Sequence, residues 1–170
     1  MANSSIKHIA PAPSILIILM GSLGDVARGL CLIDHIKRNL PQSRVTWLVE
    51  SKWSELVRLN RQIDRVIILK RSCRLSAVWG LFEDLRRDHY DITLDLQRIL
   101  KSGFISLLSG AKRRIGFHRR NAKEFNWIFN NDRAKRHPLR HRRINLQFRL
   151  ARVRIDTLPF FPYIPRLKAG

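Results

Sequence analysis

The chain has 170 residues, of which 45% are hydrophobic, enough for one folded domain and too many for a disordered basic tail. Its 33 Lys and Arg residues against 13 Asp and Glu residues give a net charge of +20. This charge favours an anionic partner: a nucleic acid, an anionic membrane or a phosphorylated substrate. Since no apolar run approaches the roughly 20 residues of a bilayer span, we expect a cytoplasmic protein.

Strands and helices are predicted to alternate from residue 14 to residue 117. Residues 14–20 are continuously apolar between Pro13 and Gly21, which is typical of a strand buried on both faces of a parallel sheet. Further strands are predicted at 44–50, 65–70, 91–95 and 113–117, and helices at 25–39, 54–59, 75–88 and 99–108. This order predicts an α/β fold, a Rossmann-like doubly wound parallel sheet, with Trp47 and Trp79 in the core.

The last third of the chain is strongly basic. Between Lys112 and Arg154 there are fifteen basic residues and only two acidic residues, Glu124 and Asp132. Residues 121–137 are expected to form an extended, partly flexible loop. A basic helix is expected at 139–155, although its apolar residues also alternate as they would in a strand.

Two units follow from these patterns. We expect residues 1–158 to form one domain, and residues 159–170, which contain three prolines, to begin a linker. A nucleotide-binding second domain would have to follow this linker.

The turn between the first strand and the first helix, Gly21 to Asp25, is the first candidate for chemistry. It would lie at the carboxyl edge of the sheet, where ligands bind in doubly wound folds. It matches neither the dinucleotide fingerprint nor a P-loop. Asp25 would sit on the first helical turn, where the helix dipole favours a carboxylate that could act as a general base. On the pattern alone, capping of the helix is the more frequent role.

Four stretches of the chain occur in the order and spacing of one enzyme family. They are 15–26 (ILIILMGSLGDV), 90–97 (YDITLDLQ), 101–102 (KS) and 110–117 (GAKRRIGF). Over about residues 15–155 the chain thus resembles glycosyltransferase family 9, the lipopolysaccharide heptosyltransferases. The resemblance implies a GT-B fold of two Rossmann-like domains, of which this chain resembles the N-terminal, acceptor-binding one. Arg98 departs from the pattern, since the family usually has Gly there.

The resemblance also implies a reaction. Asp25 corresponds to the Asp that acts as the general base in the family and would deprotonate an acceptor hydroxyl. The oxygen would then displace ADP from an ADP-sugar with inversion, transferring a heptose or related sugar to the inner core of lipopolysaccharide. Neither a metal nor a cofactor is implied, because the ADP-sugar is a co-substrate bound mainly by the C-terminal domain.

Several further residues are candidates for binding the acceptor, a phosphorylated, Kdo-bearing lipid A. They are Ser22, Gly24, Gln97, Lys101 and Ser102. Gln97 and Asp95 could instead orient their loop, and Lys101 could be a solvated side chain beside a capping Ser102. Arg140, Arg142 and Arg143 are expected to face an anionic membrane surface, which would place the protein peripherally on the inner membrane.

Two other functions remain open from the sequence. The basic stretch would suit a nucleic-acid-binding module, although no helix-turn-helix, RNA-recognition or zinc pattern accompanies it. Alternatively, the chain could be a catalytically dead remnant that binds acceptor or membrane. Since no donor-binding domain follows, we expect a truncated half, whose missing half a separate chain could supply. The sequence leaves open whether this half has activity of its own.

Overall fold

A computed structural model describes residues 12–70 and 75–133 of the chain. The predicted basic helix at 139–155, the linker at 159–170 and the arginines at 140, 142 and 143 lie outside these residues.

The described residues contain one sheet of six strands. The strands are β1 (Ser14–Ile18), β2 (Arg44–Glu50), β3 (Arg65–Leu69), β4 (Ile92–Asp95), β5 (Arg113–Gly116) and β6 (Asp132–Arg133). All neighbouring strands pair in parallel, in the order β3-β2-β1-β4-β5-β6. This is the strand order of a doubly wound Rossmann-like sheet, so the predicted fold class is confirmed.

Helices cover both faces of the sheet. They are α1 (Leu23–Asn39), α2 (Ser54–Arg58), α3 (Leu75–Arg86) and α4 (Leu100–Leu108). Ile15 and Ile17 of β1 belong to a core cluster with residues of α1 and α2, whereas Leu16 and Ile18 belong to a second cluster with residues of α3 and α4. Because successive side chains of a strand point to opposite faces, the continuous apolar run of β1 fills both cores.

Two expectations need correction. Trp47 is fully buried as predicted, but the Trp79 side chain is 64% exposed. Leu81 and Leu85 of α3 pack against the core, and Trp79 lies two residues before Leu81, about 200° away around the helix. The described part of the segment predicted as a loop at 121–137, residues 121–133, is also more than an extended loop. It contains a 3-10 turn (Asn126–Ile128) and strand β6.

Within residues 12–70 and 75–133, no helix combines the length and the apolar character that crossing a membrane would require.

Candidate active site at the carboxyl edge of the sheet

The strand order reverses between β1 and β4, which makes their carboxyl ends the natural place for a ligand crevice. The two strands are in register up to the pair Ile18 and Asp95. Their following segments therefore leave the sheet side by side, and α1 and α4 then turn to opposite faces.

Gln97 joins the two segments that meet at this point. Its Oε1 accepts hydrogen bonds from the backbone N–H of Met20 at 3.0 Å and from that of Gly21 at 3.4 Å. The side-chain carbonyl thus contacts the turn after β1, as expected if Gln97 orients this part of the structure. A contact between Gln97 and an acceptor would have to come from the side-chain NH2 group.

Asp25 is the third residue of α1, and its side chain is 28% exposed. One carboxylate oxygen accepts a hydrogen bond from Ser22 Oγ at 3.3 Å, and the other pairs with Arg28 Nη1 at 3.2 Å. The hydrogen bonds described for this carboxylate therefore come from side chains rather than from the amides of the helix end. The geometry leaves Asp25 accessible and oriented, as a general base must be, and shows no capping hydrogen bond from it.

Ser22 and Gly24 shape the surroundings of Asp25. Ser22 is the exposed residue that precedes α1, and it has an extended backbone. A Cβ atom at Gly24 would lie 3.2 Å from Arg28 Nη2, so the glycine leaves room for the guanidinium beside the carboxylate. Both residues are therefore in the same turn as Asp25, where the sequence analysis expected acceptor contacts.

Trp53 is a part of this edge that the sequence analysis did not connect with the site. It follows β2, the neighbour of β1, and its side chain is half-buried. A Cβ atom at Gly21 would lie 3.1 Å from Trp53 Nε1. The indole therefore limits the size of residue 21. Its place directly after a predicted strand was the signal that could have identified it.

Asp95 ends β4 and is fully buried. Its Oδ2 accepts hydrogen bonds from Nδ2 of Asn126 and, at 3.3 Å, from Nδ2 of Asn130, and its Oδ1 accepts one from the Gln97 N–H at 3.2 Å. Burial raises the pKa of the Asp95 carboxyl above its ordinary value, although the hydrogen bonds of its neighbours act in the opposite direction.

A pH dependence of stability follows from this burial. The folded-state pKa of Asp95 is raised above the ordinary value of 3.8. The contribution of Asp95 to the free energy of unfolding is therefore fully present below pH 3.8 and is lost as the pH rises through the folded-state pKa. From pH 4 upward, we expect the free energy of unfolding of the wild type to fall relative to that of Asp95→Asn, which does not titrate. Urea unfolding of both proteins at a series of pH values measures the difference. A difference that is independent of pH would contradict the prediction.

The structure separates the two candidates on α4. Ser102 is fully buried; its Oγ donates to the Ile99 carbonyl at 2.8 Å and accepts from Asn126 Nδ2 at 3.1 Å. The Ser102 hydroxyl thus belongs to the polar interior behind Asp95, whereas the sequence analysis expected it to contact an acceptor. Lys101 is exposed on the first turn of α4, at the same edge as Asp25.

In the described part of the chain, no three or more His, Cys, Asp or Glu side chains come together in a group that could hold a metal ion.

Comparisons with known proteins relate the chain to one enzyme family. The sequence profile of glycosyltransferase family 9 (heptosyltransferase) matches residues 78–158. The lipopolysaccharide core heptosyltransferase OpsX of Haemophilus influenzae is 28% identical over 122 residues, which are 72% of this chain and 35% of OpsX. The resemblance to glycosyltransferase family 9 is confirmed.

Solved structures of heptosyltransferases have the same fold as this chain. The E. coli heptosyltransferase WaaC with ADP has a TM-score of 0.69 at 20% identity, over 92% of this chain and 50% of that chain. WaaC with ADP-2-deoxy-2-fluoro heptose gives 0.72 at 19% identity, over 88% and 49%. The GT-B expectation is confirmed at the level of fold. The chain spans about a third of OpsX and about half of WaaC.

The departure of Arg98 from the family 9 pattern now has a structural description. Arg98 has a φ of 73°, in the left-handed region that favours glycine, the usual family residue. Its Nε donates to the Asn121 carbonyl at 2.7 Å, and its guanidinium lies 5.4 Å from the centre of the Phe117 ring. These contacts hold the arginine side chain against the segment that follows β5.

Proposed function

We propose that this chain is the acceptor-side domain of an inverting glycosyltransferase. The enzyme would transfer a heptose or related sugar from an ADP-sugar to the inner core of lipopolysaccharide. The observation that carries the proposal is the position of Asp25, a partly exposed carboxylate beside the point where the strand order reverses. The family 9 resemblance supports it, because similar proteins are named lipopolysaccharide heptosyltransferases.

Asp25 would act as the general base of this reaction. Its carboxylate would take the proton from an acceptor hydroxyl as the oxygen forms a bond to the anomeric carbon of the donor sugar. The bond from that carbon to the ADP oxygen breaks, and ADP leaves with the electron pair. Arg28 and Ser22, which contact the two carboxylate oxygens, would hold the base in one orientation.

The charge of the same edge supports a phosphorylated, Kdo-bearing acceptor. Basic residues occur in segments that follow β1, β2, β4 and β5: Arg28, Lys52, Lys101, Arg119, Arg120 and Lys123. Anionic groups of an acceptor would be attracted to such an edge. Arg140, Arg142 and Arg143, which lie outside the described residues, would add positive charge that attracts an anionic membrane surface.

A transfer assay tests the proposed function. A two-domain protein that contains this chain is incubated with ADP-heptose and with Kdo-bearing lipid A, and ADP release and acceptor mass are measured. We expect ADP release that depends on the acceptor, together with a mass gain of one heptose. No acceptor-dependent release, or release without a change in acceptor mass, would refute the proposal.

The 170-residue chain alone is expected not to bind ADP at micromolar concentrations. Its glycine turn is not a phosphate cradle, and the Met20 and Gly21 amides already donate to Gln97. Isothermal titration calorimetry with ADP measures this, with the two-domain protein as the positive control. Stoichiometric micromolar binding to the chain alone would show that the donor side has been assigned to the wrong half.

A further inference from the structure

A buried polar network connects the segment after β5 with the carboxyl end of β4. Asn126 and Asn130 are at most 1% exposed, and both donate from Nδ2 to Asp95 Oδ2. The Oδ1 of Asn130 accepts from Ser106 Oγ at 2.8 Å. Buried polar groups without partners are strongly destabilising, so these contacts fix the two amides in one arrangement.

Two glycines provide the space that this arrangement needs. A Cβ atom at Gly116 of β5 would lie 2.3 Å from Asn130 Nδ2, and one at Gly103 of α4 would lie 3.0 Å from Asn126 Nδ2. Side chains at these positions would displace the asparagines. The network is therefore closely packed rather than a loose set of loop contacts.

The network continues to the turn that carries Asp25. Asp95 accepts from the Gln97 N–H at 3.2 Å through the oxygen that does not contact the asparagines. Gln97 in turn accepts from the amides of Met20 and Gly21. A continuous series of hydrogen bonds thus leads from Asn126 through Asp95 and Gln97 to the turn.

We propose that Asp95, held by Asn126 and Asn130, is a positioning residue that sets the turn carrying Asp25 through Gln97. Asp95 itself is buried and does not meet substrate. The role of Asp25 rests on the proposed function, but the hydrogen-bond connection does not.

Amide hydrogen exchange in the 170-residue chain tests the connection. Asn126→Ala removes a donor to Asp95, whereas the Met20 and Gly21 amides donate to Gln97 and not to Asn126. We expect exchange of the Met20 and Gly21 amides to accelerate by about fivefold relative to the β1 amides, the effect of one hydrogen bond of ordinary net strength. Uniform acceleration of all amides, or no change at these two, would overturn the proposal.

Thr93→Val is the matched control. Thr93 is also a buried polar residue of β4, and it bonds Ser109 rather than Asp95, at 2.9 Å. It should lower stability without a selective effect on the Met20 and Gly21 amides. If Asn126→Ala does not fold, the same exchange measurement is made on Asp95→Asn, which keeps the shape of the side chain and removes one acceptor. The same selective acceleration at Met20 and Gly21 is expected.

A double-variant cycle makes the test stricter. Gln97→Ala removes the hydrogen bonds to the Met20 and Gly21 amides directly. In the Gln97→Ala background, Asn126→Ala should therefore cause no further acceleration of amide exchange at these two residues. Independent, additive effects would show that Asn126 acts by another route. Neither measurement needs a sugar donor, so the connection can hold even if the transfer assay fails, and it can fail even if transfer is observed.

Discussion

Asp25→Ala in a two-domain protein that contains this chain is expected to lower turnover by about a hundredfold to ten-thousandfold, the usual effect of removing a general base. The fold should remain intact because the side chain is partly exposed and its contacts are local, to Ser22 and Arg28. Steady-state kinetics with saturating ADP-sugar, together with urea unfolding, measure both quantities.

Two controls separate the chemistry from the structure. Asp34→Ala removes another carboxylate of α1 that pairs with an arginine, Arg38 at 2.8 Å, and should leave turnover nearly unchanged. Arg28→Ala removes the ion pair but keeps the Asp25 carboxylate, so it should reduce turnover less than Asp25→Ala. If Asp25→Ala retained more than about a third of the wild-type turnover with unchanged acceptor affinity, Asp25 would not be the base.

The largest expected effect on stability is that of Trp47→Ala. The indole is fully buried between the sheet and α1, and its Nε1 donates to the Leu19 carbonyl at 3.0 Å. A Cβ atom at Gly29 of α1 would lie 2.5 Å from the Trp47 ring, which shows how closely the helix approaches it. Removing the ring leaves a cavity and an unpaired carbonyl, so the free energy of unfolding should fall by about 3–5 kcal/mol.

Trp79→Ala is the comparison for this measurement. Trp79 is 64% exposed, and its indole N–H donates to Glu83 on the surface of α3. Urea unfolding should show a change of about 0.5 kcal/mol or less, as for most surface substitutions. Similar losses for the two tryptophans would contradict the burial that the structure gives them.

The sequence predicts the strands and helices well because their apolar residues recur with clear periods. The run from Ile15 to Met20 is buried throughout, as a central parallel strand requires. The start of α1 shows the limit of such patterns. The helix begins at Leu23, two residues before the predicted start at residue 25, because the turn and not the periodicity sets its first residue.

The polar interior could not be predicted in the same way. Asn126 and Asn130 occur in a segment without a clear apolar period, between the charged residues at 119–124 and Asp132, and such a segment usually indicates a loop. The burial of these two asparagines depends on Asp95, which is more than 30 residues earlier in the chain, and on the space left by Gly103 and Gly116. The burial of Ser102 could not be predicted for the same reason, since only the packing shows that its hydroxyl points inward.

The series of hydrogen bonds that leads from Asp95 through Gln97 to the turn before α1 has a consequence for how an enzyme of the proposed kind could diversify. All residues of this series lie between residues 20 and 130, in one sheet and its loops. Under the proposed function, a donor-binding partner domain would not need to build this part of the acceptor side. Domains that bind different nucleotide sugars could then be exchanged while the proposed base and its turn stay the same, so that donor preference and acceptor preference would change separately.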